Sequence, residues 1–106
     1  MIDPGGRIYV TNSGTSAATS SITVYESGAS GNVTPIRTIA GATTGLDQPQ
    51  GIALDGGQRI YAASSAFTSH LYRITVYPGN ANGDVAPVVT LAGTNTGLSV
   101  PSQLAF

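Results

Sequence analysis

The feature that most limits what this chain can fold into is its internal repetition. Residues 3 to 54 align with residues 55 to 106 without a gap, and 22 of the 52 paired positions are identical. Arg7-Ile8-Tyr9 matches Arg59-Ile60-Tyr61, and Ile22-Thr23-Val24-Tyr25 matches Ile74-Thr75-Val76-Tyr77. Ala40-Gly41 matches Ala92-Gly93, and Thr44-Gly45-Leu46 matches Thr96-Gly97-Leu98. Gapless self-similarity of this period makes each copy one supersecondary unit that buries its apolar faces by stacking on its neighbours. The chain therefore divides into residues 1–54 and 55–106, each ending on a version of the run Pro49-Gln50-Gly51-Ile52-Ala53-Leu54.

Within each copy the apolar runs are short, rich in Ile, Val, Tyr and Thr, and separated by Gly, Pro, Asn and Asp, as expected of strands and turns. No window holds a helical period long enough to compete. The pattern predicts strands near 7–12, 21–26, 36–40, 50–54, 59–63, 71–77, 88–92 and 102–106. Asp3-Pro4-Gly5-Gly6 and Asp55-Gly56-Gly57-Gln58 read as tight turns, because Asp bonds its own backbone and Gly accepts positive φ. Segments 27–32 and 79–84 read as longer hairpin connections. Strands such as Ile22-Thr23-Val24-Tyr25 do not alternate cleanly, so both faces of each sheet need a cover. A four-stranded sheet of this length cannot supply that cover, and the radial stacking of a β-propeller can.

Asp3-Pro4-Gly5-Gly6-Arg7-Ile8-Tyr9-Val10, Ile22-Thr23-Val24-Tyr25, Gly31 to Gly41 and Pro49 to Asp55 together resemble the blade repeat of bacterial NHL-type propeller proteins. The likeness covers both repeats. It implies an all-β propeller with two four-stranded blades per chain, Pro49 to Leu54 being an innermost strand beside a central channel. It also implies an extracytoplasmic or cell-surface setting in a bacterium, and functions that range over lectins, interaction scaffolds, lyases and lactonases.

Met1-Ile2 align with Ala53-Leu54, so the first blade is expected to hold three outer strands and a stub of its inner one. Ser102, Gln103, Leu104, Ala105 and Phe106 are the corresponding complete strand. Pairing of that strand with Arg7, Ile8, Tyr9 and Val10 of another copy would close a ring by strand exchange, a head-to-tail contact repeated by rotation. Two blades cannot close around an axis, so the expected assembly is a homotrimer of six blades or a homotetramer of eight. A piece of a longer single-chain ring and an engineered duplication are the other origins of such a pattern.

Charge excludes some partners. The cations are Arg7, Arg37, Arg59 and Arg73, scattered and without a lysine, against Asp3, Glu26, Asp47, Asp55 and Asp84. Nucleic acid and anionic membrane surfaces both call for clustered cations. Nothing approaches the roughly 20 apolar residues of a spanning helix. Without cysteine there is neither a disulfide framework nor a thiolate metal site.

The copies diverge most at 13–21 against 65–73, where Ser13 and Ser65 alone agree. The second copy carries Phe67, His70, Tyr72 and Arg73 there. In the propeller likeness this loop shares a rim with Asp47, and an aromatic face with Arg and His donors suits a sugar, a carboxylate or a peptide. The competing reading is a drifted loop with Leu71 and Tyr72 extending a strand. His70 stands alone as a base or metal ligand, and a protein metal site needs three or four ligands. Asn80-Ala81-Asn82-Gly83-Asp84 faintly resembles the start of a calcium loop but lacks the downstream bidentate Glu, so a hairpin turn is the better reading. No Gly-x-Ser-x-Gly elbow occurs.

The function read from the sequence is a non-catalytic, self-assembling propeller scaffold or binding module without cofactor or metal, its rim loops recognising a protein or glycan ligand. A carbohydrate-binding lectin is the first alternative and a metal-dependent hydrolase or lyase the second. Deleting Ser102 to Phe106 is expected to abolish the closed oligomer. A truncated chain of unchanged assembly size in light scattering would refute the strand-exchange reading.

Overall fold

The computed structural model describes residues 1–14, 19–66 and 71–99. Seven strands form two antiparallel sheets. Sheet one contains β1 (Ile8–Asn12), β2 (Ser21–Tyr25) and β3 (Arg37–Ala40) in that order. Sheet two contains β4 (Pro49–Leu54), β5 (Ile60–Ala66), β6 (Leu71–Tyr77) and β7 (Val89–Ala92). The strands lie close to where the apolar runs place them. The expected strand at 102–106 lies outside the described residues. A short 3₁₀ turn follows each outer strand, Ala42–Thr44 in the first copy and Thr94–Thr96 in the second.

The alignment of Met1-Ile2 with an inner strand has a structural counterpart. Ile2 bridges antiparallel to Ile8, and Met1 and Tyr9 exchange hydrogen bonds, the Tyr9 N–H donating at 2.7 Å and the Met1 ammonium at 3.1 Å. Ala53 and Leu54 pair in the same way with Tyr61 and Ile60.

Register decides which residues share a face, because directly opposed residues point to the same side of a sheet. In sheet one Tyr9 opposes Val24 and Ile22 opposes Ile39, which puts these four on one face. In sheet two Leu54 opposes Ile60, Ile60 opposes Tyr77 and Ile52 opposes Ala62. These two faces meet in a single buried cluster of Tyr9, Ile22, Val24, Ile39, Leu54, Ile60, Ala62 and Tyr77, with Ile52 and Val85 packed against it. Leu46, just beyond the first 3₁₀ turn, and Ala81, from the β6–β7 connection, complete that cluster. The core is thus the seam between the repeats. Apolar area removed from water along this seam is the main favourable term holding the copies together.

Polar contacts fix the alignment of the seam. The β6–β7 connection lies along the outer edge of β3, where the Gly83 N–H donates to the Thr38 carbonyl at 2.6 Å and the Ala40 N–H to the Gly83 carbonyl at 3.2 Å. Asn82 Oδ1 accepts from the Thr38 N–H at 3.1 Å, and Asp84 Oδ1 from the Thr43 N–H at 2.9 Å. The Tyr77 hydroxyl donates to the Thr44 carbonyl at 2.5 Å. Gly41 makes the approach of Asp84 possible: at φ 125° it occupies a region closed to most side chains, and a Cβ there would lie 2.3 Å from Asp84 Cγ.

Truncating Leu46 removes a fully buried side chain from the centre of this seam. Leu46→Ala should lower unfolding stability by about 2–5 kcal/mol in urea denaturation, the range for a buried leucine that leaves a cavity. A loss under about 1 kcal/mol would contradict the seam as the core.

Candidate functional site

Of the five residues expected at a rim site, the structure describes Asp47, Tyr72 and Arg73. Arg73 lies opposite Ser64 in the β5–β6 ladder, and the same Ser64 hydroxyl accepts from the Asp47 N–H at 3.3 Å, so Asp47 and Arg73 stand near one another. Arg73 donates to the Gly45 carbonyl from Nη1 at 3.4 Å, across the seam. Its guanidinium therefore ties sheet two to the turn after β3. Tyr72 opposes Ser65 and, as the neighbour of Arg73 on the strand, belongs to the other face of sheet two. Phe67 and His70 lie outside the described residues.

Of the residues expected at an exchanged strand, Arg7 is held by Asp3, and Tyr9 belongs to the seam. The backbone edge of Ile8 and Tyr9 is already covered by Met1 and Ile2. Val10 is 37% exposed. Ser102, Gln103, Leu104, Ala105 and Phe106 lie outside the described residues.

The carboxylates with the richest surroundings are Asp3 and Asp55, which play the same part in each copy. Asp3 Oδ1 accepts from the Arg7 N–H at 2.9 Å, while Oδ2 accepts from Arg7 Nε at 2.9 Å and from the Tyr9 hydroxyl at 3.2 Å. Asp55 repeats these contacts with Arg59 and Tyr61 at the same distances, and also accepts from the Gly57 N–H. In the first copy Arg37 Nη2 extends the chain by donating to the Tyr9 hydroxyl at 3.2 Å. Burial pushes both carboxyls up, but hydrogen bonds from the arginine backbone and guanidinium and from the tyrosine outweigh it, so both lie below the ordinary 3.8. A carboxylate so held is a poor proton acceptor. Its role is to pin a hairpin turn, as the Asp-Gly turn reading anticipated.

The oxygen-bearing side chains of 80–84 are likewise committed to backbone. Asn82 and Asp84 accept from Thr38 and Thr43, as given above, so the segment is a connection that docks on the adjacent sheet rather than a cation loop. Among the described residues there is no cluster of three or more His, Cys, Asp or Glu able to hold a metal.

One of the apolar faces expected to need a cover takes a definite shape. The face of sheet one turned away from the seam carries Ile8 opposite Tyr25 and Val10 opposite Thr23. Beside it, Ile8, Tyr25, Ala29 and residues 30–33 line a shallow groove of about 400 Å³. Its signal was present in the identity of Tyr25, Ala29, Gly31 and Val33 with Tyr77, Ala81, Gly83 and Val85, the residues that form the second copy's half of the seam.

No protein-family model matches the chain, and no curated protein or solved structure matches it significantly.

The two aspartates make stability acid-sensitive with a defined sign. Their folded pKa lies below the unfolded value near 3.8, so their stabilisation is present above that value and is lost as pH falls through the folded pKa. The thermal midpoint should fall as pH drops below about 4, and a double Asp3→Asn, Asp55→Asn variant should melt lower at neutral pH with a flatter acid limb. Superimposable pH profiles for variant and wild type would contradict the assigned role.

Proposed function

We propose that this chain is a non-catalytic building block of a β-propeller, each repeat contributing one blade and copies assembling head to tail into a closed ring that presents its loops as a binding surface. The observation that carries this reading is the unequal burial of equivalent residues. Ile39, at the seam, is 0% exposed, whereas its counterpart Leu91 on β7 is 48% exposed. On the opposite side Ala62 is 0% exposed and its counterpart Val10 is 37%. Each end of the two-sheet stack thus bears the half of a seam that the middle of the stack satisfies. Apolar sheet faces and open outer edges of this kind favour further stacking.

The Asp3 and Asp55 clusters support a structural reading of the carboxylates, since their acceptor oxygens already serve arginine, tyrosine and backbone donors. Recognition by the proposed ring would fall to the segments where the copies differ, 13–21 and 65–73, the second of which runs into the first residues of β6.

With two blades per chain, a ring requires roughly three or four copies. Light scattering coupled to size exclusion should give a discrete mass at such a multiple of the 10.6 kDa chain, independent of concentration over the micromolar range. A species of one-chain mass throughout would sink the proposal.

A further inference from the structure

We infer that the groove on sheet one is the seat for β7 and the following 3₁₀ turn of a second copy, so that the seam between the repeats is reproduced in trans by the segment 28–33. The inference rests on the head-to-tail reading above and specifies the contact that carries it. Within the chain, the β6–β7 connection grips the outer edge of β3, Gly83 exchanging hydrogen bonds with Thr38 and Ala40. The β2–β3 connection, residues 28–33, is the equivalent element and has no sheet beside it on that side among the described residues. The outer edge of β7 is the equivalent recipient, and Val89 and Leu91 on it are exposed.

Both unpaired elements already hold the conformation that the paired ones use. Gly31 and Gly83 have φ 76° and 85°, and each accepts at its carbonyl from the valine two residues on, at 3.1 Å in both copies. The Ala29 N–H donates to the Glu26 carbonyl as the Ala81 N–H does to the Pro78 carbonyl. Across the contact, Gly93 keeps φ 111° against 125° for Gly41. At Gly41 that conformation accommodates Asp84, whereas at Gly93 nothing among the described residues lies within 4 Å of where a Cβ would be. The turn Thr94–Thr96 closes on Gly97 at φ 75° as Ala42–Thr44 closes on Gly45 at φ 76°. A preformed loop and a preformed recipient lose little conformational freedom on meeting.

The chemistry also transfers. Thr38, Ala40, Thr44, Gly45 and Leu46 on the recipient side recur as Thr90, Ala92, Thr96, Gly97 and Leu98. On the gripping side Tyr77, Ala81, Gly83 and Val85 recur as Tyr25, Ala29, Gly31 and Val33. Ser30 stands for Asn82 and Asn32 for Asp84, so an acceptor oxygen remains at both positions. Tyr25 would donate to the Thr96 carbonyl of the next copy, while Leu91 and Leu98 would enter the groove as Ile39 and Leu46 enter the seam. Ser21 stands where Arg73 lies, so the guanidinium bond to the turn carbonyl has no counterpart.

Because the chain lacks cysteine, introduced pairs report the contact directly. Ser30→Cys with Thr90→Cys in one chain should give, on mild oxidation, a ladder of covalent multimers whose top rung is the assembly size. The internal equivalent, Asn82→Cys with Thr38→Cys, should close within one chain. Independently of disulfide geometry, Leu91→Glu and Ala29→Glu should each reduce the solution mass to 10.6 kDa with an unchanged β-sheet circular dichroism spectrum. If wild type assembles while either glutamate variant retains the wild-type mass, or while the internal pair closes and the Ser30–Thr90 positions do not link, this contact is wrong and head-to-tail assembly stands by some other surface. A wild type of one-chain mass would instead overturn the assembly reading itself.

Discussion

The contact on which the rest of this molecule depends is the packing of Tyr9, Ile22, Val24 and Ile39 on one sheet against Ile60, Ala62 and Tyr77 on the other. Each copy of the repeat makes a sheet that is apolar on both sides, and three or four strands have no means of covering two faces by themselves. Stacking solves this once inside the chain. Because the copies are related by sequence, the solution leaves a matching pair of apolar surfaces on the outer faces of the two sheets.

Around that apolar seam the polar groups set alignment rather than bulk stability. Gly83, Asn82 and Asp84 use hydrogen bonds to a strand edge and to the turn after it, and Tyr77 and Arg73 add bonds to Thr44 and Gly45. Hydrogen bonds replace bonds to water and contribute modestly on balance, yet they are directional, so they select one way for the sheets to meet. The aspartate pins act one level lower. They hold the Asp3–Arg7 and Asp55–Arg59 hairpins in the same shape and so keep the two sheets near copies of each other. Similar sheets are what allow one contact to be repeated.

Much of the fold was legible in the residues. Short runs of Ile, Val, Tyr and Thr bounded by Gly, Pro and Asp placed seven strands near their observed positions, since strand and turn preferences act over a few neighbours. The aspartate turns were legible for the same reason. The 3₁₀ turns were not read, although the spacing Gly41 to Gly45 recurs as Gly93 to Gly97 and could have marked them. The use of Arg73 was not legible in this way: its hydrogen bond to the Gly45 carbonyl crosses the seam, and adjacent Tyr72 belongs to the opposite face of the strand. The segment 80–84 looked like a turn and proved to be a clasp, because its partners, Thr38 and Thr43, are about forty residues away.

By itself, the sequence determined an all-β chain built from two editions of one unit, with sheets that need neighbours, because period, composition and local turn chemistry are properties of short stretches. The tertiary structure decided which face of each sheet meets the other, and therefore which residues are left over. Burial of Ile39 against exposure of Leu91 cannot be read from two similar strands; it depends on which one has a second sheet beside it. That asymmetry between equivalent residues is the information that only packing creates.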